Sequence, residues 1–193
     1  MSIRRLAHHD IDPLAQVLKR AFAADPELRW VIPDPEEWDR IADPWFRMHL
    51  SESLRQGHGL TDNERRGVSL WEPPGAEHSF LSRLVALWRM AFMFRGNLAR
   101  AIEIQRTMED YRPGGDFWYL TYLATHPKHQ GTGLGGALLR PMLELAERTD
   151  TPVFLECSNE RNVPFYETHG FKTLARVPIR GGPTIWPMLR EAG

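Results

Sequence analysis

Apolar positions along this chain switch repeatedly between the two-residue period of a strand and the 3.6-residue period of a helix. Residues 2–6 read as a short strand. Asp10 or Asp12 then caps a predicted amphipathic helix in which Leu14, Val17, Leu18, Ala21 and Phe22 share a face. Pro26, Pro33 and Pro35 punctuate the segment that follows, and a second helix is expected over residues 36–55, kinked or restarted by Pro44. Residues 57–61 and 67–71 read as two strands joined by a turn at Asp62 and Asn63, and Pro73, Pro74 and Gly75 end that hairpin.

Residues 77–111 are helix-like and rich in Leu, Met, Trp and Phe, with an interruption near Gly96 and Asn97 and a close at Pro113, Gly114 and Gly115. Residues 117–125 (FWYLTYLAT) form the strongest strand by aromatic and β-branched content. Their near-continuous apolar character suggests a central strand covered on both faces. A helix over 134–148, a buried strand over 153–157, a short helix over 162–169 and strands over 170–177 and 184–189 complete the pattern. Strand, glycine-rich loop, helix and strand from 117 to 157 make a βαβ unit, whose two strands should be parallel with a right-handed crossover. With 193 residues and no repeat or linker, the expectation is one domain over 1–193, carrying a helical insertion at about 75–113.

Composition narrows the class. Hydrophobic residues at 42% and charged residues at 25% are ordinary for a globular chain, so disorder is not its main state. A net charge of −1 provides no broad basic field for nucleic acid or an anionic membrane, though a local basic pocket for a phosphorylated cofactor is compatible with it. Cys157 is the one cysteine, which excludes an internal disulfide and a cysteine metal cluster and suits a reducing compartment. The start of the chain lacks the apolar core of a signal peptide, and the stretch 80–94, broken by Arg83 and Arg89, is too short to span a bilayer. A cytoplasmic protein is expected. The eight histidines are scattered and suggest no metal site.

Chemistry concentrates at Gln130-Gly131-Thr132-Gly133-Leu134-Gly135-Gly136, between the strongest strand and a helix. Glycines there let backbone approach a ligand, and the helix N-terminus aims free N–H groups and partial positive charge at it. A pyrophosphate is the natural guest. The alternatives are a tight turn that binds nothing and a dinucleotide loop. Residues 131–136 do fit G-x-G-x-x-G, with Glu156 about where a ribose-binding acid would stand. Against the dinucleotide, His126 to Gln130 separate the strand from the first glycine, and the 37 residues after Glu156 are too few for the rest of a doubly wound sheet.

Gln130-x-x-Gly133-x-Gly135 resembles the acyl-CoA pyrophosphate loop of the GNAT-family N-acetyltransferases, Q/R-x-x-G-x-G/A. Leu123-Ala124-Thr125-His126-Pro127 is similar to the strand end that precedes it in that family. Asn159 with Phe165-Tyr166-Glu167-Thr168-His169-Gly170-Phe171 resembles its second signature, N-x6-Y-x3-GF. The three motifs stand in the family's order and spacing over about 50 residues. Within the family, THPKHQGTGLGGALL and LECSNERNVPFYETHGF most resemble the puromycin N-acetyltransferase-like group.

The resemblance implies an α/β fold with a mixed, mostly antiparallel sheet flanked by helices, in which a splayed parallel pair of strands binds acyl-CoA. It implies acetyl-CoA as co-substrate and an amine as acceptor. Leu123, Ala124 and Thr125 would hold the pantetheine arm through their backbone, and Gln130, Gly131, Thr132, Gly133, Leu134, Gly135 and Gly136 the pyrophosphate. Thr125 stands where the family usually has Val, a change that backbone bonds tolerate. Lys128, His129 and Arg161 are candidates for the 3′-phosphate, and Asn159 for the CoA arm, unless it is simply a turn cap.

Tyr166 matches the family's thiolate-protonating tyrosine; a phenol with a pKa near 10 keeps its proton at neutral pH and can give it to a leaving thiolate. Glu156 ends a buried strand, where burial raises a carboxyl toward neutrality and suits it as general base. In family members with a base on this strand the glutamate stands two residues farther from the tyrosine, and pairing of Glu156 with an arginine is the competing reading. Tyr119 and Tyr122 could line a proton path. Cys157 reads as a small buried hydrophobe, which favours direct transfer in a ternary complex over an acetyl-cysteine.

For the acceptor side, Trp30, Trp45, Trp71, Trp88, Met90 and Phe92 are candidates to wall an apolar pocket, and Asp25, Glu27, Asp34, Glu103 and Glu109 to attract a cationic amine. The expected acceptor is a small molecule, such as an aminoacyl or antibiotic-like amine. A protein N-terminus or lysine would want an open groove, and a non-catalytic acyl-CoA sensor would need neither Tyr166 nor a base. The assembly expected is a monomer or homodimer.

Overall fold

The computed structural model describes residues 2–75 and 97–192. In chain order these form β1 (Ile3–Arg5), α1 (Ile11–Ala21), α2 (Pro26–Val31), α3 (Pro35–Gln56), β2 (Gly59–Asp62), β3 (Gly67–Glu72), α4 (Leu98–Glu109), β4 (Trp118–Thr125), α5 (Leu134–Arg148), β5 (Val153–Cys157), α6 (Val163–Glu167), β6 (Lys172–Thr173), β7 (Val177–Pro178) and β8 (Thr184–Arg190). The strands lie in the order β1-β2-β3-β4-β5-β8-β6, with β7 also on β8. Every pairing is antiparallel except β4 with β5, which is parallel.

Strands β4 and β5 pair only at Trp118 with Val153 and Tyr119 with Phe154. Past those two rungs each keeps its outer partner, β3 for β4 and β8 for β5, while the inner edges part. A β-bulge accompanies the parting: Leu70 pairs with Tyr122 and Trp71 with Leu120, so Thr121 is the extra residue on β4. The bulge reverses the alternation of side chains. Before it, Trp118 and Leu120 pack with Leu138, Leu139 and Met142 of α5; beyond it, Ala124 packs with Leu14, Phe46 and Met108 of α1, α3 and α4. Trp71 follows the first group and lies in the core under α5 with 1% of its surface exposed, so it does not wall the acceptor side as its sequence context suggested.

Several local expectations change for physical reasons. Asp10 does stand before α1, but its buried carboxylate accepts from Arg4, Arg65 and the backbone N–H of Ala7, leaving no side-chain cap for α1. Pro26 opens α2 where a breaker was expected, because proline suits the first helical position and Asp25 caps the next two N–H groups. Helix α3 runs through Pro44 and ends at Gly57, whose φ of 78° provides the left-handed C-cap. The strand expected over 170–177 is only β6 and the start of β7, both short strands on β8. Within the segment expected to be helical from 77 to 111, α4 accounts for its described end; Trp88, Met90 and Phe92 lie outside the described residues.

Candidate active site

The glycine loop stands at the end of β4, where β4 and β5 have separated. A 3-10 turn (Pro127–His129) follows the strand, and His126 Nδ1 accepts the N–H of Lys128 at 3.2 Å. Gln130 Nε2 donates to the Thr125 carbonyl at 3.4 Å, and the Thr132 hydroxyl donates to the His129 carbonyl at 2.8 Å. Gly131 and Gly133 take φ values of 74° and 80°, left-handed backbone that favours glycine. Gly133 occupies the N-cap of the 15-residue α5, and among the described residues no side chain caps the first N–H groups of the helix.

Gly135 and Gly136 have a second role. A Cβ on Gly135 would lie 3.2 Å from Cζ of Phe165, and one on Gly136 would lie 2.8 Å from Nε2 of His169. The absence of side chains there lets α6 and its following turn pack against the first turn of α5, bringing Tyr166 toward the same end of the sheet. Lys128 and Arg161 are exposed and His129 is half-buried. Asn159 caps a 3-10 turn by accepting the N–H of Arg161 at 3.1 Å, as its plainer reading anticipated.

A cavity of about 320 Å³ opens between the parted strands and the helices above them. Phe22, Leu28, Val31, Trp45 and Ile104 give it an apolar wall, and Leu123, Cys157 and Tyr166 also border it. Four carboxylates line it among the described residues: Asp25, Glu27, Glu72 and Glu156. Of the acidic candidates from the sequence, Asp25 and Glu27 are thus at the site; Asp34 caps α3, and Glu103 and Glu109 do not border the cavity. Trp30 points elsewhere, donating to the Gly181 carbonyl at 2.8 Å.

Tyr119 and Arg112 converge on Glu156. The Tyr119 hydroxyl donates to Oε2 at 3.3 Å, and Arg112 Nε stands 3.6 Å from Oε1, an ion pair longer than a hydrogen bond. Burial raises the Glu156 carboxyl above its ordinary range, while Arg112 and Tyr119 pull it back. Both readings of Glu156 therefore coexist: it is a buried acid with a raised pKa, and it has an arginine partner.

Glu27 differs. Burial first, then the charges of Asp25 and Glu156, push its carboxyl up to about 8. Asp25 is buried too, accepting from the Glu27 and Leu28 N–H groups at 3.1 and 2.9 Å and from the Ser158 hydroxyl. Burial raises its carboxyl, and those bonds oppose the rise. Tyr166 is held in its phenol form chiefly by burial, with Cys157 and Asp25 adding to the effect. Burial pushes the Cys157 thiol up to about 11, and Sγ donates to the Asn159 carbonyl at 3.2 Å, so the cysteine is a poor nucleophile here.

Glu72, His49 and Arg112 border the cavity although nothing in the sequence singled them out. His49 packs edge-on against Trp45 and Tyr122, with ring centres 4.6 and 5.1 Å away. Trp45 Nε1 in turn donates to the Tyr122 hydroxyl at 2.9 Å. Glu72 stands on β3, His49 on α3 and Arg112 just past α4, all remote in sequence from the glycine loop, and only the folded chain brings them together.

Comparison with known proteins agrees with this geometry. Residues 93–173 match the family model described as an acetyltransferase (GNAT) domain. The chain is similar to the uncharacterized N-acetyltransferase C550.08 of Schizosaccharomyces pombe, 24% identical over 190 residues covering 89% of this chain and 74% of that protein. A histone acetyltransferase HPA2 and related acetyltransferase from Corynebacterium glutamicum has a similar structure, at 24% identity, a TM-score of 0.74, and coverage of 100% of this chain and 96% of that one. Arylalkylamine N-acetyltransferase 2 from Aedes aegypti superposes with a TM-score of 0.74 at 14% identity, over 100% of this chain and 99% of that one. No helix among the described residues is long and apolar enough to cross a membrane. With the GNAT fold, the parted parallel strands and a GNAT domain match over residues 93–173, the chain is an N-acetyltransferase enzyme.

Proposed function

We propose that this enzyme transfers an acetyl group from acetyl-CoA to the amine of a small cationic molecule, by direct attack in a ternary complex. The observation that carries this reading is the meeting of an uncapped, glycine-rich helix N-terminus with a carboxylate-lined cavity at the opening between β4 and β5. Backbone of Gly131 to Gly136 suits a pyrophosphate, and the edge of Leu123 to Thr125 that β5 does not pair suits an amide-bearing arm laid alongside it. The domain is read as running over 1–193, with its insertion at about 75–113 walling the acceptor side through Ala101, Ile104 and Arg112. The cytoplasm is the natural setting, and the puromycin N-acetyltransferase-like group remains our reading of the two sequence phrases.

An ammonium entering the cavity first loses a proton to a carboxylate. Glu27 is the better acceptor, because its carboxyl is poised near neutrality and Glu156 already has Arg112 beside it. The freed amine attacks the thioester carbonyl carbon; a C–N bond forms and the C–S bond breaks. Tyr166 gives its phenolic proton to the departing thiolate and is reprotonated by the second proton that the nitrogen sheds as the amide forms, while the proton held by Glu27 returns to solvent as products leave. Asn159 and the exposed Lys128 and Arg161 are left as contacts to the CoA arm and its 3′-phosphate.

Measuring CoA release with a panel of amines, in the unmodified protein and in Tyr166→Phe, tests the reading. Turnover that needs an amine and falls about 100-fold in the variant fits a proton donor. Acetyl-CoA binding without turnover on any amine would leave a sensor instead. Acetylation confined to peptide N-termini or lysines would replace the small-molecule acceptor.

A further inference from the structure

Two groups of polar residues line the cavity on either side of Tyr122, whose hydroxyl feels the charges of Glu27, Asp25 and Glu72 together. At one end Asp25 is hydrogen-bonded to Ser158, and its charge acts on both Cys157 and Tyr166, so Asp25 and Glu27 flank the place where transfer occurs. At the other end stand His49, Glu72 and Thr121, three residues that also line an adjoining pocket of about 20 Å³. Between them lie Phe22 and Tyr122, whose rings meet edge-on at 5.5 Å.

The far end is built from acceptors. The Thr121 hydroxyl stands 3.4 Å from Glu72 Oε1. Burial lowers the His49 imidazole to about 4, so at neutral pH it is uncharged and one ring nitrogen carries a lone pair. Its Nε2 is buried with no hydrogen-bond partner among the described residues, while Trp45 and Tyr122 fix the ring. An unpaired buried nitrogen costs about 1–3 kcal/mol, so its presence beside a cavity asks for a ligand group. A carboxylate and an imidazole lone pair together match a group that donates hydrogen bonds and carries positive charge.

We propose that the acceptor is a diamine or longer polyamine, acetylated on one nitrogen beside Asp25 and Glu27 while a second ammonium is held by Glu72 and His49. The methylene chain between its nitrogens lies along Phe22 and Tyr122. This rests on the small-molecule amine reading above and adds the second charge. The substrate's two cations complement a cavity bordered, among the described residues, by four carboxylates and one guanidinium.

The test compares putrescine, n-butylamine and aminobutanol, which share a four-carbon chain and differ only at the far end. The expected result is a kcat/KM for putrescine at least about tenfold above both of the others, since n-butylamine brings no hydrogen-bonding group to the far end and aminobutanol brings a hydroxyl without the positive charge that Glu72 would pair. In Glu72→Gln and in His49→Phe the ratio of putrescine to n-butylamine should fall toward one. The Glu72 variant keeps the result readable if the buried His49 change impairs folding. Equal turnover of putrescine and n-butylamine, or of putrescine and aminobutanol, overturns the second-ammonium site while amine acetylation itself stands. Turnover of none of these amines, with acetyl transfer found only on peptide acceptors, overturns both.

Discussion

The Asp25 carboxylate accepts a hydrogen bond from Ser158 across a sequence separation of 133 residues, tying the start of α2 to the residue after β5. One side of the cavity is thereby fixed to the other. Asp25 also caps α2, so Asp25→Ala should remove a cap worth about 1 kcal/mol together with this tie. Melting should show a Tm lower by about 2–4 °C for each kcal/mol in a chain of this length. Asp25→Asn, which can still cap, should recover most of the Tm. An unchanged Tm in Asp25→Ala would mean that neither bond matters to the fold.

Glu27 should set the acid limb of activity. Its raised carboxyl holds a proton up to about pH 8, so kcat/KM should climb as pH rises and level off above that value. Glu27→Gln should lower kcat/KM by about 100-fold or more and abolish the limb. The stability sign runs the other way. A carboxyl raised in the folded state contributes stability in full below its ordinary value of 4.5, and that contribution is lost as pH rises through about 8. Melting of Glu27→Gln across this window should therefore show a flatter profile than the parent.

Glu156 should matter less as a base than Glu27. With Arg112 and Tyr119 already on its two oxygens, Glu156→Gln is expected to cost no more than about tenfold in kcat/KM, without removing the acid limb. Rate–pH profiles of the two variants side by side decide the matter. If Glu156→Gln loses the limb and Glu27→Gln keeps it, their assignments must be exchanged.

Gly136 and His169 should behave as a coupled pair. A Cβ at Gly136 meets His169 Nε2 at 2.8 Å, so Gly136→Ala must push the imidazole and the end of α6 away. We expect a lower Tm and weaker stabilisation by acetyl-CoA in Gly136→Ala, with both restored in the Gly136→Ala, His169→Ala double variant. Additive losses would show that the glycine serves something other than this contact. Binding of acetyl-CoA to the parent at about 100 times its Kd should itself add about 2.7 kcal/mol.

Asp10 offers a prediction about the fold alone. Fully buried, it accepts two hydrogen bonds from Arg4 at 2.6 and 2.9 Å and one from Arg65 at 2.7 Å, and the Arg4 bond above all holds its carboxyl well below the usual range. The stability it contributes is present above the ordinary value of 3.8 and lost as pH falls toward the depressed one. Asp10→Ala should cost about 3 kcal/mol at neutral pH, and acid titration of the variant should lack the steepest part of the parent's decline.

What the sequence disclosed was whatever is local. Glycines at 131, 133, 135 and 136 between an apolar strand and a helix need no partner to be read, because their chemistry is that of adjacent backbone. Tyr166 stood out through the spacing of its motif, and the fold places it on the border of the cavity. Helix α2 was missed because a proline reads as a breaker until its place at the first turn is known. His49, Glu72 and Arg112 carried no signal, since each is an ordinary residue in its own stretch of chain and gains meaning only from three-dimensional convergence. Trp71 misled for a related reason: the face a strand residue shows depends on its register with a neighbour.

That register has its own lesson at Thr121. One residue without a partner divides β4 into two reading frames, so the same two-residue alternation points Leu120 toward α5 and Ala124 toward α1. Deleting Thr121 would leave Leu120 and Tyr122 consecutive and still opposite Trp71 and Leu70, so the pairing would become regular and every residue from Tyr122 to Thr125 would keep its face. What would go is the local bend of β4 just past its last rung with β5, so the extra residue bears on the parting of the two strands and leaves the sorting of side chains between the two cores untouched.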